Sequence, residues 1–181
     1  YGAAPAFDQI LLKVVENTAA LEANLLSGEV DMIAGELGIP IDQALSLEKR
    51  IGDRAVITYQ PGLIYEHMEA NLDNPVLADL RVRQAILHGI DRQAINERLF
   101  GGRQPAADTN INPLDAIHVP VERTYPYDPA EAARLLEAAG WTPGPGGIRQ
   151  NAAGDKLALT LMTTAGNQSR ELVQQVIQAQ L

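Results

Sequence analysis

The stretch "LIYEHMEAN", residues 63 to 71, brings side chains capable of chemistry closest together. In an extended chain, period-2 alternation puts Tyr65, His67, Glu69 and Asn71 on one face and Glu66, Met68 and Ala70 on the other. Four polar side chains along one face predict a surface that meets water or a ligand rather than a core. An imidazole two residues from a carboxylate could fix a polar end of a solute, contribute half a metal site, or work as an acid-base pair. Zinc sites ordinarily take four ligands, His88 and His118 lie far away in sequence, and no HExxH spacing occurs, so no metal is expected. Glu66 and Glu69 fall on opposite faces, which discounts paired-carboxylate catalysis. There is no cysteine to act as a thiol nucleophile. No GxSxG elbow occurs, and Ser27, Ser46 and Ser169 carry no adjacent base signature. "GGR" at 101 and "GPGG" at 144 read as turns and match neither phosphate-loop nor dinucleotide fingerprints. Neither catalysis nor a cofactor is expected. A second candidate is "TTAGNQSR" (163 to 170), a strand end feeding a helix N-terminus whose free N–H groups favour a carboxylate or other anion. There Asn167 and Ser169 either meet that ligand or simply cap the helix; the sequence leaves both open.

The elements that would position these residues alternate between strand and helix. "FDQILLKVV" (7 to 15) is apolar and β-branched and predicts a strand. Asn17 or Thr18 caps a helix through Leu26, Gly28 supplies its left-handed stop, and "EVDMIA" (29 to 34) predicts a second strand. This order predicts a parallel pair with a right-handed crossover. "PIDQALSLEKR" predicts a helix and "RAVITYQ" a strand. Asp79 caps a helix carrying Val82, Ala85, Ile86 and Ile90; Asp91 caps another, ending at Gly101-Gly102. Residues 103 to 124 read as a long loop. In "YDPAEAARLLEAAGW", Asp128 caps, Pro129 takes the first helical position, and Glu131 can complete a capping box. Gly140 closes this helix, with Trp141 folding back on Leu136. "GIRQNAAGDKLALTLMTT" predicts a hairpin-like turn into a strand, followed by a final helix.

Two helix starts within "DNPVLADLRVRQAILHGIDRQAI" (73 to 95) raise the question of a DNA-reading helix pair. A net charge of −9 and a pI near 4.7 oppose it, because phosphate backbones demand clustered Lys and Arg. Asp79, Arg81, Arg83 and Asp91 therefore predict scaffolding by caps and ion pairs, and no nucleic-acid partner. With 46% hydrophobic and 20% charged residues, the 181-residue chain reads as globular, able to bury roughly 70% of its unfolded surface. No apolar run reaches the ~20 residues of a membrane span. Tyr1 is no natural start and the last helix lacks a stop signal, so we expect an internal piece of a longer protein.

Four segments in order, "LLSGEVDM" (25 to 32), "NPVLADLRVRQAILHGIDRQAI" (74 to 95), "YPYDPAEAARLLEAAGW" (125 to 141) and "LTLMTTAGNQSRELVQQVIQAQL", resemble the bacterial extracellular solute-binding proteins of family 5. These are the peptide, oligopeptide and nickel receptors of ABC importers. The resemblance implies an α/β, type II periplasmic-binding-protein fold, with residues 1 to 62 in a first lobe, 63 to 71 crossing over, and 72 to 181 in a second lobe. It implies a periplasmic receptor that closes two lobes on a small peptide, partners a membrane permease and is monomeric at full length. Tyr65, His67, Glu69, Asn167 and Ser169 then become candidate ligand-binding residues, with no cofactor. The alternatives are a receptor for a nickel chelate or another small solute, a small α/β hydrolase using His67 and Glu69, and a purely structural interaction domain.

Overall fold

The computed structural model describes residues 6–33 and 38–181. The chain divides into two compact units, residues 1–59 and 60–181. In the first, helix α1 (Thr18–Ser27) starts where the Asn17 side chain accepts from the Ala20 N–H at 2.9 Å. It stops at Gly28, whose φ of 78° is a left-handed conformation that costs glycine little. Helix α2 (Ile41–Ile51) buries Ala44, Leu47 and Ile51, one stripe at helical spacing. Arg50 of α2 pairs with Glu22 of α1.

The second unit opens with the extended segment 60–71 and the single turn α3 (Pro75–Ala78), which the sequence reading had not anticipated; Asn74 caps it. Helices α4 (Leu80–Gly89) and α5 (Arg92–Phe100) follow, capped by Asp79 and Asp91 through the Arg81 and Ala94 N–H groups at 2.8 Å. Helix α6 (Pro129–Ala138) packs on α4, burying Ala85, Ala132 and Leu135 with Leu136 beside them. Small residues on both helices let the axes approach closely. The α6 C-terminus closes as a Schellman motif: the Trp141 N–H donates to the Leu136 carbonyl at 2.8 Å, and Gly140 takes a φ of 91°. Strands β1 (Thr142–Pro143) and β2 (Arg149–Gln150) pair antiparallel, and an isolated antiparallel bridge joins Gln150 to Lys156. Helix α7 (Gln168–Gln180) packs against α5 and buries Ile177. Among the described residues every buried side chain is apolar, with Leu47 and Val82 each only 1% exposed.

The structure differs from the sequence reading in two further respects. Residues 7–15, 54–60, 63–71 and 157–164 form no strand ladder among the described residues, and the parallel pair expected between 7–15 and 29–34 is not formed among them either; Ala34 lies outside them. A strand's hydrogen bonds all come from a neighbouring strand, and the described residues supply that neighbour only to β1 and β2. The expected capping box at α6 forms by half. Asp128 accepts from the Glu131 N–H at 3.0 Å. The Glu131 carboxylate instead takes Arg134 at 2.6 and 2.7 Å, and the Asp128 N–H is already committed to the His88 carbonyl at 2.9 Å.

Candidate functional site

Segment 63–71 shows its polar face in side-chain detail. The Tyr65 and His67 rings stack with centroids 4.8 Å apart and planes 15° from parallel. His67 Nε2 donates to Glu69 Oε1 at 3.2 Å. Contacts between residues two apart require an extended backbone with all three side chains on one side. All three are exposed, Glu69 most of all. The result is a short polar ledge: an aromatic ring, an imidazole and a carboxylate in sequence, offering one stacking surface and both hydrogen-bonding polarities.

The opposite face is anchored. Arg170 in the first turn of α7 donates to Glu66 Oε1 from Nη2 at 2.7 Å and from Nε at 3.3 Å, and its Nη1 donates to Thr164 Oγ1 at 3.1 Å. This pairing holds the Arg170 guanidinium above its ordinary pKa. Asn112 Nδ2 also donates to the Gly62 carbonyl at 2.8 Å, tying the start of the segment to the long loop.

Asn167 is the N-cap of α7, accepting from the Arg170 N–H at 3.1 Å, and Ser169 lies in the helix's first turn. The structure thus brings Tyr65, His67 and Glu69 together. It joins neither Asn167 nor Ser169 to them by a hydrogen bond or ion pair among the described residues. Also among the described residues, no group of three or more His, Asp or Glu could hold a metal ion, and no helix is long and apolar enough to cross a membrane.

The arginines and aspartates of 79–92 act as scaffold. Arg81 pairs with Asp79 at 2.6 Å and also donates to the Ala138 carbonyl at the end of α6. Its hydrogen bond, more than any other influence, holds the Asp79 carboxyl below the usual carboxylate range. Arg83 donates to the Leu77 and Ala78 carbonyls at 2.8 and 3.0 Å, satisfying the end of α3. Arg92 reaches the long loop, donating to the Ala107 carbonyl at 2.8 Å, Asp108 at 3.1 Å and the Tyr125 carbonyl at 3.4 Å. These cations meet backbone carbonyls and single carboxylates of the same unit, an arrangement that uses them internally rather than on a phosphate backbone.

The sequence model of the bacterial extracellular solute-binding proteins, family 5 (middle region), matches residues 1–181. The chain belongs to that family. It is similar to the oligopeptide-binding protein AppA of Bacillus subtilis, with 28% identity over 98% of this chain and 32% of the relative. A solved structure of the oligopeptide-binding protein of Thermus thermophilus, complexed with a pentapeptide, matches with a TM-score of 0.72 and 33% identity. That match covers 92% of this chain and 30% of the other. NikA of Brucella suis, in complex with Fe(III)-EDTA, matches with a TM-score of 0.73 and 27% identity over 99% of this chain and 36% of the other. The fold is of the type II periplasmic-binding-protein class, and the chain spans about a third of the length of these proteins.

The bridge that Arg170 makes between Thr164 and Glu66 was missed, although both Thr164 and Arg170 lie in the 163–170 stretch singled out as a second candidate. The available signal was a strand face carrying Glu66 with no assigned partner, together with an arginine at the start of a helix. Nothing in the pattern joins two residues 104 positions apart.

Proposed function

We propose that this chain supplies part of the solute-binding surface of a periplasmic receptor that delivers peptides to the membrane permease of an ABC importer. The observation that carries the proposal is the polar ledge of Tyr65, His67 and Glu69, exposed and aligned on an extended segment whose other face is tied down. A hydrophobic core has no use for such a row, whereas a peptide offers it a positive terminus, carbonyl oxygens and side chains to stack. The carboxylate of Glu69 suits an ammonium, His67 a polar backbone group, and Tyr65 an apolar or aromatic side chain. Similarity to oligopeptide-binding proteins supports this choice of solute. In the full-length receptor, closure of two lobes would bury the solute and bias an open–closed equilibrium.

His67→Ala and Glu69→Ala in the full-length receptor are expected to weaken binding of a pentapeptide pool, measured by calorimetry, while leaving the melting temperature unchanged. Wild-type affinity in both variants would remove the ledge from the site. A metal-chelate solute is a second reading, favoured by the structural match to a protein holding Fe(III)-EDTA. Titration of the same receptor with nickel–histidine separates the two. A turnover assay on peptides and esters tests the hydrolase alternative, since a receptor returns its solute unchanged.

A further inference from the structure

We infer that Glu66, Arg170 and Thr164 form a latch that sets which way the solute-facing ledge points, making Glu66 and Arg170 positioning residues. The inference rests on the reading that Tyr65, His67 and Glu69 meet solute, and adds what orients them. Segment 63–71 has no ladder among the described residues, so within them its rotation is set by side-chain contacts, of which the Glu66–Arg170 pair is the strongest charged one. A one-residue slip of an extended segment exchanges its two faces. Fixing Glu66 therefore fixes its neighbours on either side: with Glu66 turned to α7, Tyr65, His67 and Glu69 face away from it.

Arg170 is suited to this because its fork takes Glu66 from two nitrogens and Thr164 from the third. One guanidinium thus joins three pieces of chain: the extended segment, the end of the 157–164 run and the first turn of α7. Two neighbouring contacts stiffen its base. Glu171 Oε1 accepts from the Gly166 N–H at 2.7 Å, and Gln174 Nε2 donates to the Leu161 carbonyl at 2.5 Å. The pair is exposed, with side chains 41% and 60% accessible, so it stabilises the fold little and is screened by salt. Its effect is directional. Asn167 caps the helix that carries Arg170, and Ser169 lies in its first turn.

The test is a charge swap in the full-length receptor, with two readouts. Glu66→Arg and Arg170→Glu alone should each weaken binding of a pentapeptide pool about three- to fivefold and speed amide exchange in both 64–71 and 164–170. The double swap should restore affinity and exchange together. Single variants that bind and exchange as wild type, or a swap that recovers neither, overturn the latch. If the wild-type receptor binds no peptide, the peptide reading fails while the latch still stands or falls on exchange: acceleration in both segments reversed by the swap supports it, and its absence overturns it.

Discussion

Asp79 does two jobs with one carboxylate. It accepts from the Arg81 N–H that opens α4, and it holds the Arg81 side chain, which reaches across to the Ala138 carbonyl at the end of α6. Replacing it with alanine removes the cap and releases that arginine, and should lower stability by about 0.5–2 kcal/mol, read from urea midpoints at pH 7. The pH dependence has a definite sign. Because its folded pKa lies below the ordinary value, the carboxylate's contribution is complete above the unfolded pKa near 4 and fades as pH falls through the lower, folded value. The gap between wild type and Asp79→Ala should therefore narrow as pH falls below about 4. A gap independent of pH would mean that the ionised carboxylate is not its source. Glu131 carries a depression of the same sign from Arg134 and adds to the same acid limb.

At the scale of elements, the helices were legible and the strands only halfway. Asn17, Asp79, Asp91 and Asp128 each cap the helix whose start they mark, because a cap is satisfied by N–H groups two or three residues on and needs nothing distant. The same locality revealed Gly28 and Gly140 as stops. Alternation in 63–71 correctly grouped Tyr65, His67 and Glu69. It could not say what the segment pairs with, because side-chain period records faces and not neighbours. The half-formed capping box at Asp128 shows the limit from the other side: a pattern that works within one helix yielded when the His88 carbonyl, from another helix, claimed the Asp128 N–H. The α4–α6 contact is where this unit's packing concentrates. Leu135→Ala should cost about 2–5 kcal/mol. Trp141, the chain's single tryptophan, sits just past the end of α6 and reports the loss by fluorescence. A shift within error would show that α4 and α6 close over the gap.

At the scale of the whole molecule, large apolar side chains remain in water on segments that lack a ladder. Leu12 and Val14 are 88% and 97% exposed, and Val56 91%. Exposed extended segments of this composition are templates for pairing with another chain. The 181-residue chain on its own should therefore self-associate with rising concentration in light scattering, and Leu12→Lys with Val14→Lys should suppress it. Concentration-independent scattering by the unsubstituted chain would show that these segments are covered. Relatives about three times longer have more chain with which to cover such surfaces.

Arg92 grips the long loop near both ends, at Ala107 and Asp108 on one side and at Tyr125 on the other. The intervening stretch is thus a closed bight whose neck is pinned by one side chain. Lengthening a closed bight is cheap, about 0.6 kcal/mol for each doubling, and leaves the pinned neck where it was. Residues added within the bight, away from the Asn112 tie to Gly62, would consequently cost little and leave both flanking helices as they are.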